Sequence, residues 1–589
     1  MENQKNNYQE NIHNEDYKLK YIKFNITYED MIYDSGREKE SLNGYWNFCI
    51  DQYDSFLRAE WYKEESTDAN GRDLPLDYDF DDFEKVFVPS CWNTEKTDYF
   101  YYEGSAVYTR TFKYINRGEK KVFLKLGAAN YEAYIFLNKQ IIGYHKGGST
   151  PIYVDITDYV EKYNRVTVVV DNTRRREQVP ANNTDWYNYG GLYRDVEIIR
   201  LPKVFIKHYH ISLVNGSSFK NINIRIELNL KICCSAVLKI PELGINKIIN
   251  INDGKGYEII ESKPELWSPE NPKLYSVEVS SGDDIIRENI GFREIEVKGT
   301  DIYLNGKKIF LKGISCHEES LVNGKAIKEE EIIENLKLAK EMNCNYMRLA
   351  HYPHTEKTAK IADEMGIMLW EEIPVYWAID FDNPVTLNDA KNQLKELINR
   401  DSNRASVIIW SVGNENADTD SRLNFMKTLA ITAKEEDPTR LVSAACLVDH
   451  VENKIADRLI NYLDIIGINE YYGWYDPDFE KLPSCFNNSN ITKPVIISEF
   501  GADACSGYRG TYDDLFTEDI QEDIYKKQIK TIGSVEYVKG MSPWILYDFR
   551  CPRRHNKIQR GYNLKGLLSR DKKQKKLAYY VIQQFYANK

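Results

Sequence analysis

"SVIIWSVGNE", residues 406–415, runs through the apolar stretch Val407–Trp410, too short for a helix, and soon stops at Gly413, Asn414 and Glu415. An apolar run of this length, closed by polar residues, reads as a strand buried on both faces of a parallel sheet. Seven further runs keep the same rhythm: "KIFLKGISC" (308–316), "CNYMRLA" (344–350), "GIMLWEEIP" (366–374), "LVSAACL" (441–447), "DIIGINEYY" (464–472), "PVIISEFG" (494–501) and "SPWILYDF" (542–549). Helix-period segments such as "EEEIIENLKLAKEMN" (329–343) and "DAKNQLKELINR" (389–400) lie between them. Eight strands alternating with helices predict a TIM, or (β/α)8, barrel over residues 298–589.

Upstream the rhythm differs. "VYTRTFKY" (107–114), "KVFLKLG" (121–127), "YEAYIFLN" (131–138), "VTVVVDN" (166–172) and "RDVEIIRL" (194–201) are short runs separated by turn residues. They predict an antiparallel β-sandwich over residues 1–201. "LPKVFIKH" (201–208) reads as the linker into a second β unit, residues 202–297, of immunoglobulin size, with "NINIRIELNL" (221–230), "SAVLKI" (235–240) and "LYSVEVSS" (274–281).

The 589 residues carry 90 acidic and 78 basic side chains, a net charge of −12. That excess excludes a general nucleic-acid binder or a binder of acidic membranes, so any anionic partner must be recognised locally. The opening stretch "MENQKNNYQENIHNEDYKLKY" is polar, and no secretory signal is expected in it. No apolar run approaches the roughly 20 residues that cross a bilayer. The ten cysteines are scattered without a CxxC pair and read as reduced structural thiols, which points to the cytoplasm.

In such barrels functional residues gather where strands end at the C-terminal face. The fourth run ends in Asn414 and Glu415, the seventh in Glu499, and the second in Arg348 and His351. The sixth ends in Asn469, Tyr471 and Tyr472, while the eighth carries Trp544, Asp548 and Arg550. Glu415 and Glu499 would face each other across the barrel mouth. Two carboxylates converging on one sugar are what glycoside hydrolysis requires. Further on, "YNLKG" places Asn563 and Lys565 two positions apart. In extended backbone they point the same way, and an amide with an ammonium makes a small clamp for a carboxylate.

"WSVGNEN" (410–416), "VIISEFGAD" (495–503) and "NYMRLAHYP" (345–353) resemble conserved blocks of glycoside hydrolase family 2. The resemblance spans nearly the whole chain. It implies a jelly-roll β-sandwich, an immunoglobulin-like β-sandwich and a C-terminal TIM barrel, in that order. It further implies a retaining exo-glycosidase with Glu415 as acid/base, Glu499 as nucleophile and Asn414 on the sugar 2-hydroxyl. Within that family an Asn-x-Lys motif marks β-glucuronidases, and Asn563 and Lys565 match it. By the same resemblance, Asp185 of "DWYNYGGLYRDV" (185–196) would accept a sugar hydroxyl, His351 would partner another, and Asn469, Tyr471 and Tyr472 would line the pocket. Trp544 would wall the sugar face, and Arg560 would add charge near the carboxylate. Family members are often dimers or tetramers, so a homo-oligomer is expected. The partner is a small glucuronide or a short oligosaccharide end.

Two features depart from the family's usual pattern. Thr184 precedes Asp185 where histidine is common, and the basic segment "YDFRCPRRHNKIQRGYN" (547–563) is distinctive. A β-galacturonidase or β-galactosidase on the same frame therefore stays open, as does a non-catalytic carbohydrate-binding protein. No cofactor and no metal are expected. His351 and His354 flank Pro353 without a third ligand nearby, and Cys316 and His317 point to opposite faces of a strand.

Overall fold

A computed structural model describes residues 16–589. The expectation of no secretory signal rests on the opening stretch, most of which lies outside these residues. The chain divides into two compact units. The first holds Thr173 and the described residues before it, together with Asn188–Phe205 and Val322–Ala326. It is a β-sandwich of a six-stranded and a four-stranded sheet. The central strand Tyr163–Asp171 pairs antiparallel with Ser105–Lys113 and Glu132–Leu137. Trp46, Phe48 and Val168 of one sheet share a core with Leu124, Val154 and Ile198 of the other.

The second unit comprises Arg174–Tyr187, Ile206–Leu321 and Ile327–Lys589. Seven antiparallel strands come first, between Ile206 and Ile290. Alternating isoleucines such as Ile222, Ile224 and Ile226 are buried along one face of Asn221–Leu228, as a half-buried strand demands. Ile245–Asn252 and Lys255–Glu261 are joined by only two pairs. The ladder therefore parts there into a three-stranded and a four-stranded half.

A closed barrel follows, its parallel strands in sequence order: β1 (Leu311–Cys316), β2 (Tyr346–Leu349), β3 (Met368–Glu372), β4 (Val407–Asn414), β5 (Leu441–Leu447), β6 (Ile466–Asn469), β7 (Val495–Glu499) and β8 (Val538–Met541). A three-stranded sheet, Ile295–Lys298, Asp301–Leu304 and Lys307–Ile309, precedes it. Ile295, Ile302 and Leu304 cluster with Leu311, Tyr346, Met368, Ile409 and Ile496, at the N-terminal ends of the barrel strands.

Strands β1 to β7 fall inside the runs read from the sequence; β8 does not. "SPWILYDF" follows that strand, so Trp544, Asp548 and Arg550 lie beyond it rather than on it. Its Trp544, Ile545 and Phe549 are buried all the same, against Trp186, Ala350 and Tyr376. An apolar run marks burial, and burial in a packed loop looks identical in sequence to burial in a ladder.

Helix α3 (Pro384–Asp401), preceded in the barrel by α1 (Glu329–Glu341) and α2 (Glu356–Met365), is capped by its own sequence. The Asn383 side chain accepts from the Val385 N–H, and proline opens the first turn. Its Asp389 Oδ2 accepts from the Val179 N–H at 3.2 Å, and Gln393 Nε2 donates to the Val179 carbonyl at 2.7 Å. These bonds hold Arg174–Tyr187, which carries Asp185 and Trp186. No helix among the described residues is long and apolar enough to cross a membrane.

Candidate active site

The second unit holds a cavity of about 680 Å³ lined by Asp185, His351, Glu415, Asn469, Tyr471, Tyr472, Glu499, Trp544, Asn563 and Lys565. All ten were singled out from sequence. Asn414 sits just behind this lining, bonded to Asn469 and Arg348. Arg560 is placed otherwise: it is exposed, and its Nε donates to the Lys557 carbonyl at 2.8 Å. Its nearness to Asn563 in sequence does not bring it to the cavity.

Neighbouring residues on a strand face opposite ways, yet Asn414 and Glu415 both serve this region. The register against β5 shifts between Ser411 and Asn414, and Glu415 adopts φ +52°. A left-handed backbone at a side chain with a Cβ costs on the order of 1–3 kcal/mol and persists only where its surroundings impose it. Here the Glu415 N–H bonds the Ala445 carbonyl at 2.8 Å, and the Trp377 N–H bonds the Asn414 carbonyl at 2.9 Å. Trp377, also left-handed at φ +52°, donates Nε1 to Glu415 Oε2 at 2.6 Å. Asn469 Nδ2 donates to Glu415 Oε1 at 3.0 Å.

Glu499, at the end of β7, is held from both sides. Arg348 Nη1 donates to Oε1 at 2.7 Å and the Tyr471 hydroxyl to Oε2 at 2.8 Å. Burial pushes the Glu499 carboxyl up to about 8, with the Glu415 charge adding to the rise and Arg348 and Tyr471 pulling down. Arg348 is itself fully buried. Its fork also reaches Glu372 Oε1 at 3.0 Å and Asn414 Oδ1 at 2.7 Å. Burial opposes the charge on Glu372, but Arg348 and His351 bring its carboxyl down to about 2.

His351 Nδ1 lies 2.7 Å from Glu372 Oε1, which assigns the ring proton to Nδ1. Burial lowers the imidazole to about 4, so near neutrality it is uncharged. Its Nε2, 3.9 Å from Glu499 Oε1, is left as an acceptor. The ring stacks on Trp544 at 4.8 Å between centroids and 23°. Asn414 Nδ2 is buried with no hydrogen-bond partner among the described residues. Tyr472 turns its hydroxyl to Asn453 Oδ1 at 2.7 Å and offers the cavity only its ring.

At the far end of the cavity Lys565 is almost wholly buried and already paired. Its Nζ donates to Asp503 Oδ2 at 2.5 Å and to the Tyr475 hydroxyl at 2.8 Å. Burial works against its charge, but Asp503 keeps the ammonium above its ordinary value. The backbone here depends on one glycine: a Cβ at Gly566 would sit 2.3 Å from the Asp548 nitrogen. Asn563 donates Nδ2 to Asp185 Oδ2 at 3.4 Å, and Arg554 Nη2 reaches the same oxygen at 2.5 Å.

Trp377, Glu372, Tyr475, Asp503 and Arg554 belong to the site without having been expected there. Arg348 was named at the end of the second run, and Glu372, Asp503 and Arg554 stood inside quoted stretches; nothing local announced their partners. Among the described residues no group of three or more His, Cys, Asp or Glu side chains is placed to hold a metal ion. The cavity thus brings Glu415 and Glu499, the latter bound to a guanidinium, together with aromatic walls and a buried end that holds Lys565.

Family models described as "Glycosyl hydrolases family 2" match in three stretches. The sugar binding domain matches residues 39–202, a middle model 218–293, and the TIM barrel domain 295–588. A beta-glucuronidase of Paenibacillus borealis is 27% identical over 604 residues, covering 92% of this chain and 96% of its own. One from Streptococcus agalactiae is 26% identical, covering 92% and 95%. Among solved structures, an uncultured Clostridium sp. beta-glucuronidase superposes with a TM-score of 0.82 at 25% identity, covering 95% of this chain and 99% of its own. The Ruminococcus gnavus β-glucuronidase in complex with a C6-substituted uronic isofagomine gives 0.83 at 24% identity, covering 95% and 100%. The chain belongs to glycosyl hydrolases family 2.

Proposed function

We propose that this chain is a retaining exo-β-glucuronidase, releasing glucuronic acid and an aglycone from β-D-glucuronides. The observation that carries the reading is the pairing, in one cavity, of Glu415 and Glu499 with the Asn563–Lys565 end. A neutral sugar gains nothing from a buried ammonium. A uronate gains a charge-assisted contact of roughly 1.5–3 kcal/mol, on the order of ten- to a hundred-fold in selectivity.

In the first step a Glu499 carboxylate oxygen attacks the anomeric carbon. The bond to the aglycone oxygen breaks, and Glu415 gives that oxygen its proton. In the second, Glu415 takes a proton from water, whose oxygen displaces Glu499 and regenerates the starting enzyme. Two facing carboxylates titrate as a pair, and the first step requires the proton on Glu415. The Arg348 charge and the Tyr471 hydroxyl oppose the burial that raises Glu499 to about 8, and the attack requires that carboxylate ionised. The unpaired Asn414 Nδ2 suits the sugar 2-hydroxyl, a contact that strengthens in the transition state. His351 Nε2 suits a second hydroxyl, and Trp544 walls the ring.

The division into residues 1–201, 202–297 and 298–589 belongs to the same reading, supported by the three family-model matches. So do a cytoplasmic place, consistent with ten free thiols, and a homo-oligomeric state. The test is hydrolysis of p-nitrophenyl β-D-glucuronide, galacturonide and galactoside by the wild type and by Lys565→Ala. Preference for glucuronide in the wild type, largely lost in the variant, is the expected result. A galactoside as best substrate, unaffected by Lys565→Ala, overturns the reading.

A further inference from the structure

The basic segment before Asn563 offers Arg550, Arg553, Arg554 and Arg560. Arg554, nine positions upstream, is folded into the cationic end, and the more exposed Arg553 also reaches the cavity lining. Phe549–Arg550 pairs antiparallel with Tyr562–Asn563, which closes the intervening loop on itself. The Arg554 N–H bonds the Cys551 carbonyl at 3.0 Å, and its own carbonyl accepts from Gly561 at 2.8 Å.

Its guanidinium donates Nη1 to the Tyr475 hydroxyl at 3.1 Å and Nη2 to Asp185 Oδ2 at 2.5 Å. Its Nε is buried with no hydrogen-bond partner among the described residues. The same Tyr475 oxygen receives Lys565 Nζ at 2.8 Å, so two cations converge on one phenol. Like charges that close repel unless compensated. Asp503 compensates Lys565 and Asp185 compensates Arg554. Arg553, 3.7 Å from Asp185, adds a third cation against those two carboxylates.

We infer that Arg554 is the second cation of the sugar-carboxylate site, acting with Lys565 across the Tyr475 hydroxyl. The inference rests on the glucuronidase reading above and names a residue it did not use. A carboxylate has two oxygens; an ammonium and an arginine N–H engage them separately, each by a charge-assisted bond. Arg554 also ties this end to Asp185, so the hydroxyl and carboxylate contacts share one scaffold.

The experiment measures kcat and KM on p-nitrophenyl β-D-glucuronide and β-D-glucoside, with inhibition by glucuronate. The proteins are the wild type, Arg554→Gln, Arg554→Lys, Tyr475→Phe, Lys565→Ala and Arg560→Gln. Arg554→Gln is expected to raise KM for the glucuronide and weaken glucuronate inhibition about 10- to 100-fold, with a clearly smaller loss on the glucoside, which feels only the weakened hold on Asp185. Arg554→Lys is expected to recover part of the loss, and Arg560→Gln to behave as wild type. Equal losses on both substrates, or no loss, overturn the inference. Should Arg554→Gln fail to fold, Tyr475→Phe and Arg554→Lys carry the same comparison: a loss confined to the glucuronide supports the inference, and an equal loss on both substrates overturns it. A wild type without glucuronide preference, or one whose preference survives Lys565→Ala, overturns the functional reading instead.

Discussion

Replacing Lys565 by methionine keeps most of the side chain's volume and removes its ammonium. Asp503, at 1% exposure, then loses its ion-pair partner. The Leu564 N–H at 3.0 Å and Gln559 Nε2 at 2.8 Å still reach Oδ1, while Oδ2 loses its donor. Breaking a buried pair from one side costs roughly 3–5 kcal/mol; the two surviving bonds put this case near the lower end, about 3 kcal/mol. In the wild type burial pushes the Asp503 carboxyl up, but Lys565 brings it below its usual range. Its contribution is therefore present above the unfolded carboxyl value and lost as pH falls through the folded one. In Lys565→Met burial acts against far less opposition and the value rises, so stability is lost as pH rises through it. The variant is thus expected to be less impaired near pH 5 than near pH 8. Adding Asp503→Asn removes the stranded charge and is expected to restore most of the stability, a coupling of at least about 1.5 kcal/mol. Scanning calorimetry of the four proteins at both pH values reads this directly, since a chain of two units need not melt in one step. Lys565→Met is expected to lower the catalytic unit's transition by roughly 3–8 °C near pH 8. Single-variant effects that simply add, or a variant as stable as wild type at both pH values, would show that Lys565 and Asp503 are not coupled.

Three further outcomes follow from the same geometry. Arg348→Lys keeps a charge but breaks the fork that joins Glu499, Glu372 and Asn414; kcat on the glucuronide should fall about 100-fold or more with KM little changed. Tyr471→Phe removes a donor that lowers Glu499, whose carboxyl already stands at about 8, so the acid limb of the kcat/KM profile should move up by roughly one pH unit. Glu470 is buried with its carboxyl raised to about 8 by that burial. Its folded value lies above the unfolded one, so stability falls as pH rises from about 4.5 through about 8; Glu470→Gln should narrow or reverse that loss in melts across the range.

The barrel was legible because parallel strands are buried on both faces and therefore stand out as apolar runs. The strand ends were legible because Asn414, Glu415, Asn469 and Glu499 interrupt those runs. The eighth strand was not, since Val538–Met541 is short and holds Lys539 and Gly540, while the loop after it is more apolar. Asp503 and Lys565 sit 62 positions apart, and no local pattern announces such a pair. Arg560 drew attention by standing three residues from Asn563, whereas the pairing that folds Arg554 inward depends on hairpin register, which spacing does not encode. The left-handed backbone of Glu415 is imposed by neighbouring strands and leaves no mark on the sequence.

Covalent attack by Glu499 on a uronate is the step on which the mechanism turns. Incubating the wild type with 2-deoxy-2-fluoro-β-D-glucuronyl fluoride and mapping the labelled peptide by mass spectrometry tests it most directly. Time-dependent inactivation is expected, with a single fluoroglucuronyl ester on Glu499, no label in Glu499→Gln, and much slower inactivation by the neutral glucosyl fluoride. A label on another carboxylate, or equal inactivation by the neutral reagent, would contradict it.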